Sequence, residues 1–77
     1  MTKNDRTKII DRFMDGCCSL EISEELGLPL KGVRETISLA CAYEDRLYAS
    51  HTNPHCTGSQ YYVPKERIQQ IVNAVWA

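Results

Sequence analysis

The side chains in this chain that can do covalent or metal chemistry are four cysteines and two histidines. His51, His55 and Cys56 share one short stretch and Cys41 lies upstream. Zinc accepts these ligand types, and a metal held there would stiffen the loop that carries them. No Cys-x-x-Cys or second ligand pair accompanies them, so no metal site is expected. Cys17, Cys18 and Cys41 read instead as small, reduced, buried residues. A cysteine nucleophile beside a histidine needs a substrate cleft and an oxyanion or phosphate cradle, and the sequence carries no such motif. The expectation is a non-enzyme without a cofactor. Tyr48, Tyr61 and Tyr62 can stack on exposed bases, although rings on short strands more often cover a core and pair across strands.

The chain has 77 residues, 43% hydrophobic and 25% charged, which suits one compact domain and leaves no room for a second. A domain this small buries about 60% of its unfolded surface, so self-association is a natural source of added stability and a homodimer is expected. No apolar run approaches the roughly 18 residues that span a bilayer, and Met1-Thr2-Lys3-Asn4-Asp5 lacks the apolar core of a signal peptide. A cytoplasmic protein with no membrane partner and reduced cysteines follows as the expectation. The net charge of −1 counts mildly against nucleic acid, since many DNA-binding domains carry a basic excess.

Hydrophobic spacing gives the elements. Ile9, Ile10, Phe13 and Met14 recur at three and four residues over 4–14, one side of a helix that Thr2, Asn4 or Asp5 can cap and Gly16 ends. Ser19 is placed to cap a second, short helix with apolar positions Leu20, Ile22 and Leu26, stopped by Gly27. Pro29 suits the first turn of a third helix running to about Tyr43, with Leu30, Val33, Ile37, Ala40 and Cys41 on one face. Arg46 to Ser50 and Gln60 to Val63 read as two short strands around a stretch containing Asn53, Pro54, Thr57, Gly58 and Ser59, hence a hairpin over about 46–63. Pro64 opens a last helix in which Ile68, Ile71, Val72, Val75 and Trp76 give the cleanest amphipathic pattern in the chain.

Glu21-Ile22-Ser23-Glu24-Glu25-Leu26-Gly27-Leu28-Pro29 resembles the helix-turn-helix superfamily of DNA-binding domains, whose common form is Glu-Ile-Ala, two variable residues and Leu-Gly. The turn glycine must take the left-handed conformation for two helices to cross steeply, the part assigned to Gly27. Leu26, Leu28, Val33 and Ile37 would fill the wedge between the helices. Ser23 stands where the superfamily usually has alanine, and its hydroxyl can bond back to a carbonyl of its own helix. The order helix, helix, recognition helix, hairpin and closing helix is similar to a winged helix-turn-helix. The fold class implied is mainly α with a small β-hairpin wing, as one domain over 1–77.

The resemblance implies double-stranded DNA as partner, with the third helix in the major groove. On a helical projection with Val33 and Ile37 inward, the outer face carries Lys31, Glu35, Ser38, Leu39 and Ala42, with Arg34 on its flank. Lys31 and Arg34 can donate to guanine acceptors or phosphates, Glu35 can accept from a cytosine amine, and Gly32 or Thr36 would permit close approach. Lys3, Arg6, Lys8, Arg46, Lys65 and Arg67 are candidates for the phosphate backbone, and Asn53, Thr52 or His55 for a groove contact from the wing. The same charges also fit a solvated helix face with Arg34 paired to Glu35 or Glu44. Glu21, Glu24 and Glu25 make the second helix acidic, so a nearly neutral chain can still be polarised.

The expected function is sequence-specific DNA binding by a small prokaryotic or phage-type transcriptional regulator. Two rivals share the fold: a protein-interaction module using Leu39, the acidic helix or the tyrosines, and an architectural DNA-binding factor with little sequence preference. Trp76, so close to the end of the chain, would fray unless packed, which adds to the case for a dimer.

Overall fold

The computed structural model describes residues 1–48 and 63–77. Four helices organise them: α1 (Lys3–Met14), α2 (Ser19–Leu26), α3 (Leu30–Tyr43) and α4 (Lys65–Val75). α1 packs against all three others, α2 also rests on α3, and α3 also rests on α4.

α1 can serve three neighbours because its apolar residues come in adjacent pairs. Ile10 joins Ala40, Leu47, Val63, Ile68, Ile71 and Val72 in one buried cluster, with Met14, Val75 and Trp76 packed against it. Ile9 and Phe13, rotated about 100° from Ile10 and Met14, join Ile22 and Val33 in a second cluster edged by Leu26, Leu28 and Ile37. Cys41 of α3 touches both clusters. The first cluster therefore fixes α4, and the second fixes α2 and α3.

The helix ends follow local chemistry. Thr2 and Asp5 form a reciprocal capping box at α1, with both bonds at 3.1 Å. Beyond α1, Gly16 takes φ +94° while its N–H donates to the Phe13 carbonyl and the Cys17 N–H to the Arg12 carbonyl, the paired bonds of a Schellman ending. The cap of α2 is Cys18 rather than Ser19, and the Glu21 carboxylate accepts from the Cys18 N–H at 3.4 Å. Leu20 is 52% exposed: two residues from Ile22 is about 200° around a helix, so both cannot face the core.

The expected hairpin wing is overturned. No strand occurs among the described residues, and Arg46, Leu47 and Tyr48, read as the start of the first strand, are helical. Leu47 donates its N–H to the Glu44 carbonyl at 3.2 Å and buries its side chain completely in the α4 cluster. A run of three residues has weak strand preference of its own, and burial plus a local hydrogen bond overrides it. Of the expected second strand, only Val63 is described; it is buried, and no strand includes it among the described residues. The rest of the wing, Asn53 included, lies outside the described residues. The observed class over those residues is all-α.

Candidate nucleic-acid interface

The turn from α2 into α3 consists of Gly27, Leu28 and Pro29. Gly27 adopts φ +66° as expected, and the Leu28 N–H reaches the Ser23 carbonyl at 3.1 Å, the long bond of a Schellman ending. Ser23 adds a clamp not anticipated from sequence. Its hydroxyl donates across the turn to the Leu28 carbonyl at 2.6 Å rather than back into its own helix. Ile22 and Leu28 meet in the same apolar cluster, so the turn is held by backbone, side-chain and hydrophobic contacts together. Pro29 then enters α3 with φ −60° and an extended ψ.

α3 presents a sharply divided surface. Val33, Thr36 and Ala40 are buried, while Lys31, Arg34, Glu35, Ser38, Leu39, Ala42 and Tyr43 are exposed at three- and four-residue spacing. Four of the expected contact residues, Lys31, Arg34, Glu35 and Ser38, therefore share one outward face. Its second half is apolar, with Leu39 41% and Tyr43 52% exposed.

Three expected contacts do not belong to that face. Thr36 is fully buried: its hydroxyl donates to the Gly32 carbonyl at 2.8 Å and accepts from Arg6 Nη1 at 3.2 Å. A projection that sets Val33 and Ile37 inward leaves Thr36 about 60° to one side of Val33, at the edge of the inner face, and cannot show that α1 closes over that side. Gly32 is half-buried beneath Met1, whose Cε lies 2.7 Å from where a Cβ would stand, so it offers no open approach. Arg46 is engaged by Glu44 through Nε at 3.0 Å and Nη2 at 3.3 Å.

Two cations expected at phosphates also work inside the fold. Arg67 reaches Glu44 from α4 through Nη2 at 3.1 Å, so one carboxylate holds two guanidinium groups. Hydrogen bonds first from Arg46 and then from Arg67 hold the Glu44 carboxyl below its ordinary pKa. Arg6 lies over the Trp76 ring at 4.4 Å from its centroid. The pairing of Arg46 with Glu44 was within reach of sequence, two positions apart; that of Arg67, 23 positions away, was not.

Glu44 is thus occupied and is not the partner of Arg34. Among the described residues, neither Lys31 nor Arg34 takes part in an ion pair; the pairs are Arg12–Glu25, Arg46–Glu44 and Arg67–Glu44. α2 keeps Glu21, Glu24 and Glu25 exposed, Glu25 facing Arg12 at 2.9 Å.

An open groove of about 620 Å³ adjoins the outward face, between α2, α3 and the helical residues 46–48, with Arg34 and Ser38 among its lining residues. Cys18 is exposed, against expectation, whereas Cys17 and Cys41 are half-buried and burial pushes both thiols up. The described residues contain no group of three His, Cys, Asp or Glu side chains arranged to hold a metal, and His51, His55 and Cys56 lie outside them. No helix among the described residues is long and apolar enough to cross a membrane. No family model, curated protein or solved structure matches the chain.

Proposed function

We propose that the chain binds double-stranded DNA through α3, as a small helix-turn-helix regulator with the first half of that helix in the major groove. The observation that carries this reading is the pair Lys31 and Arg34, one helical turn apart, outward and free of ion pairs among the described residues, directly after a turn fixed by Gly27 and Ser23. Cations at the start of an exposed helix are placed to meet guanine edges or phosphates, and Glu35 and Ser38 continue the same face. No wing takes part. Lys3, Lys8 and Lys65 are exposed and remain candidates for backbone contacts, whereas Arg6, Arg46 and Arg67 are committed within the chain.

The reading is of a non-enzymatic, cytoplasmic protein. It includes a homodimer on grounds of size alone, because Trp76 finds its packing within the chain; a monomer in sedimentation equilibrium at high concentration removes that part. Selection from a random duplex library by gel shift, repeated over a salt series, tests the whole. The expected result is an enriched site. Arg34→Ala then relaxes base preference if the guanidinium reads an edge, or lowers affinity evenly and reduces the salt slope by about 1 if it holds a phosphate. Absence of duplex binding at low salt overturns the reading.

The exposed Leu39, Ala42 and Tyr43 favour a second reading, a protein partner on the apolar half of α3. Leu39→Lys separates the two, since it abolishes binding to such a partner and leaves the basic half of the helix in place.

A further inference from the structure

The groove beside α3 joins two kinds of surface. Phe13, Ile37, Cys41 and Tyr48 give it aromatic, aliphatic and thiol walls, and Arg34 and Ser38 bring a guanidinium and a hydroxyl to the same space. Its volume of about 620 Å³ falls within the range of small-ligand sites, which pair an apolar lining with a few polar groups that fix orientation. Burial keeps the Cys41 thiol protonated, so that wall is uncharged at neutral pH. Among the described residues of the lining Arg34 is the one charged side chain, and no carboxylate among the described residues pairs with it.

We propose that this groove is a binding site for a small planar aromatic anion, its ring against Phe13, Ile37, Cys41 and Tyr48 and its acidic group on Arg34 and Ser38. Charge complementarity selects the anion: a neutral ring of the same size gains the apolar contact alone, whereas a carboxylate or sulfonate adds a charge-assisted bond to the guanidinium. Arg34 also stands on the outward face of α3. An occupied groove therefore withdraws from the duplex the cation on which the proposed DNA contact depends, which makes the occupant an effector that releases DNA. That consequence rests on the DNA-binding reading; the groove as a site does not.

The probes are 1-naphthoate and its neutral counterpart 1-naphthylmethanol, titrated into the isotopically labelled full chain and followed by amide shifts. Naphthoate should move the signals of Ile37, Ser38, Cys41 and Tyr48 and bind on the order of tenfold more tightly than the alcohol, as expected for one charge-assisted bond. Arg34→Gln should erase that difference and Arg34→Lys restore part of it. Ser38→Trp, at an exposed position, should fill the groove and block both probes while the remaining spectrum stays folded. Equal affinity for the two probes, an unchanged preference in Arg34→Gln, or shifts centred elsewhere each overturn the proposal. Naphthoate binding in a chain that fails to bind duplex leaves the site standing and removes only its coupling to DNA.

Discussion

Thr36 shows how a side chain can look like a contact residue and act as a structural one. Its hydroxyl ties two helices by bonding Gly32 within α3 and Arg6 of α1. Thr36→Val keeps the shape but leaves Arg6 without that acceptor, so we expect a loss of about 1 kcal/mol in urea unfolding and no change in base preference in the duplex selection. A change in preference with stability intact would return Thr36 to the reading face. Glu44 is the second such residue, 13% exposed between two arginines. Its pKa is lowered in the folded chain, so its contribution is present above the ordinary value of 4.5 and is lost as pH falls through the folded pKa. Glu44→Gln should cost about 1 kcal/mol at neutral pH, a modest figure because both arginines are partly exposed, and the gap to the parent chain should close in acid. A gap that persists at pH 3 would show that the loss is not ionic. At this scale the sequence made Lys31, Arg34, Glu35 and Ser38 legible as an outward group, because a single helix fixes which residues share a face. The surroundings of Thr36, Gly32 and Arg46 were not legible, because burial by α1, cover by Met1 and pairing with Glu44 depend on what lies beside the helix.

α1 and α2 each end where the sequence carries a glycine that can go left-handed, Gly16 and Gly27. Gly27 does so with nothing within 4 Å of a built Cβ, so Gly27→Ala should cost only the backbone strain, about 1–2 kcal/mol, without a steric clash. Gly27→Asn should cost less, since asparagine tolerates the left-handed region better, and thermal unfolding of both variants checks the order. Ser23→Ala removes the 2.6 Å bond across the turn and should destabilise by about 1 kcal/mol. If it is neutral, the clamp is redundant with the Schellman bond. All four helices were readable, to within a residue or two, from three- and four-residue spacing and from the glycine stops. The helical turn at 46–48 was not, because so short a run carries too little periodicity to separate a strand from a helical turn. Leu47 is helical because its side chain enters the α4 cluster from there, a long-range fact.

For the molecule as a whole, the tail is the test of self-sufficiency. Trp76 packs against the α4 cluster with Arg6 over its ring, so Trp76→Ala should lower stability by about 2 kcal/mol, less than the loss of a fully buried tryptophan. The midpoint should fall by roughly 10 °C, by the same amount at low and high protein concentration. A fall that grows on dilution would place Trp76 at an interface between copies. Charge is likewise a property of the whole: a chain of net −1 keeps an acidic α2 and carries Lys31 and Arg34 on the outward face of α3, so net charge alone does not describe how its charges are distributed.

The sequence by itself determined the helices, their caps within a residue, the left-handed turn at Gly27 and the division of α3 into inner and outer faces, because each depends on neighbours within a few positions. Tertiary structure decided the rest. It set which cations are free and which are spent, turned 46–48 into helix, buried Thr36 and opened the groove beside Arg34, because those outcomes depend on α1 and α4 meeting α3 across long stretches of chain. The expectation with which the outward face began, a recognition helix, survives as a proposal carried by Lys31 and Arg34, without the wing.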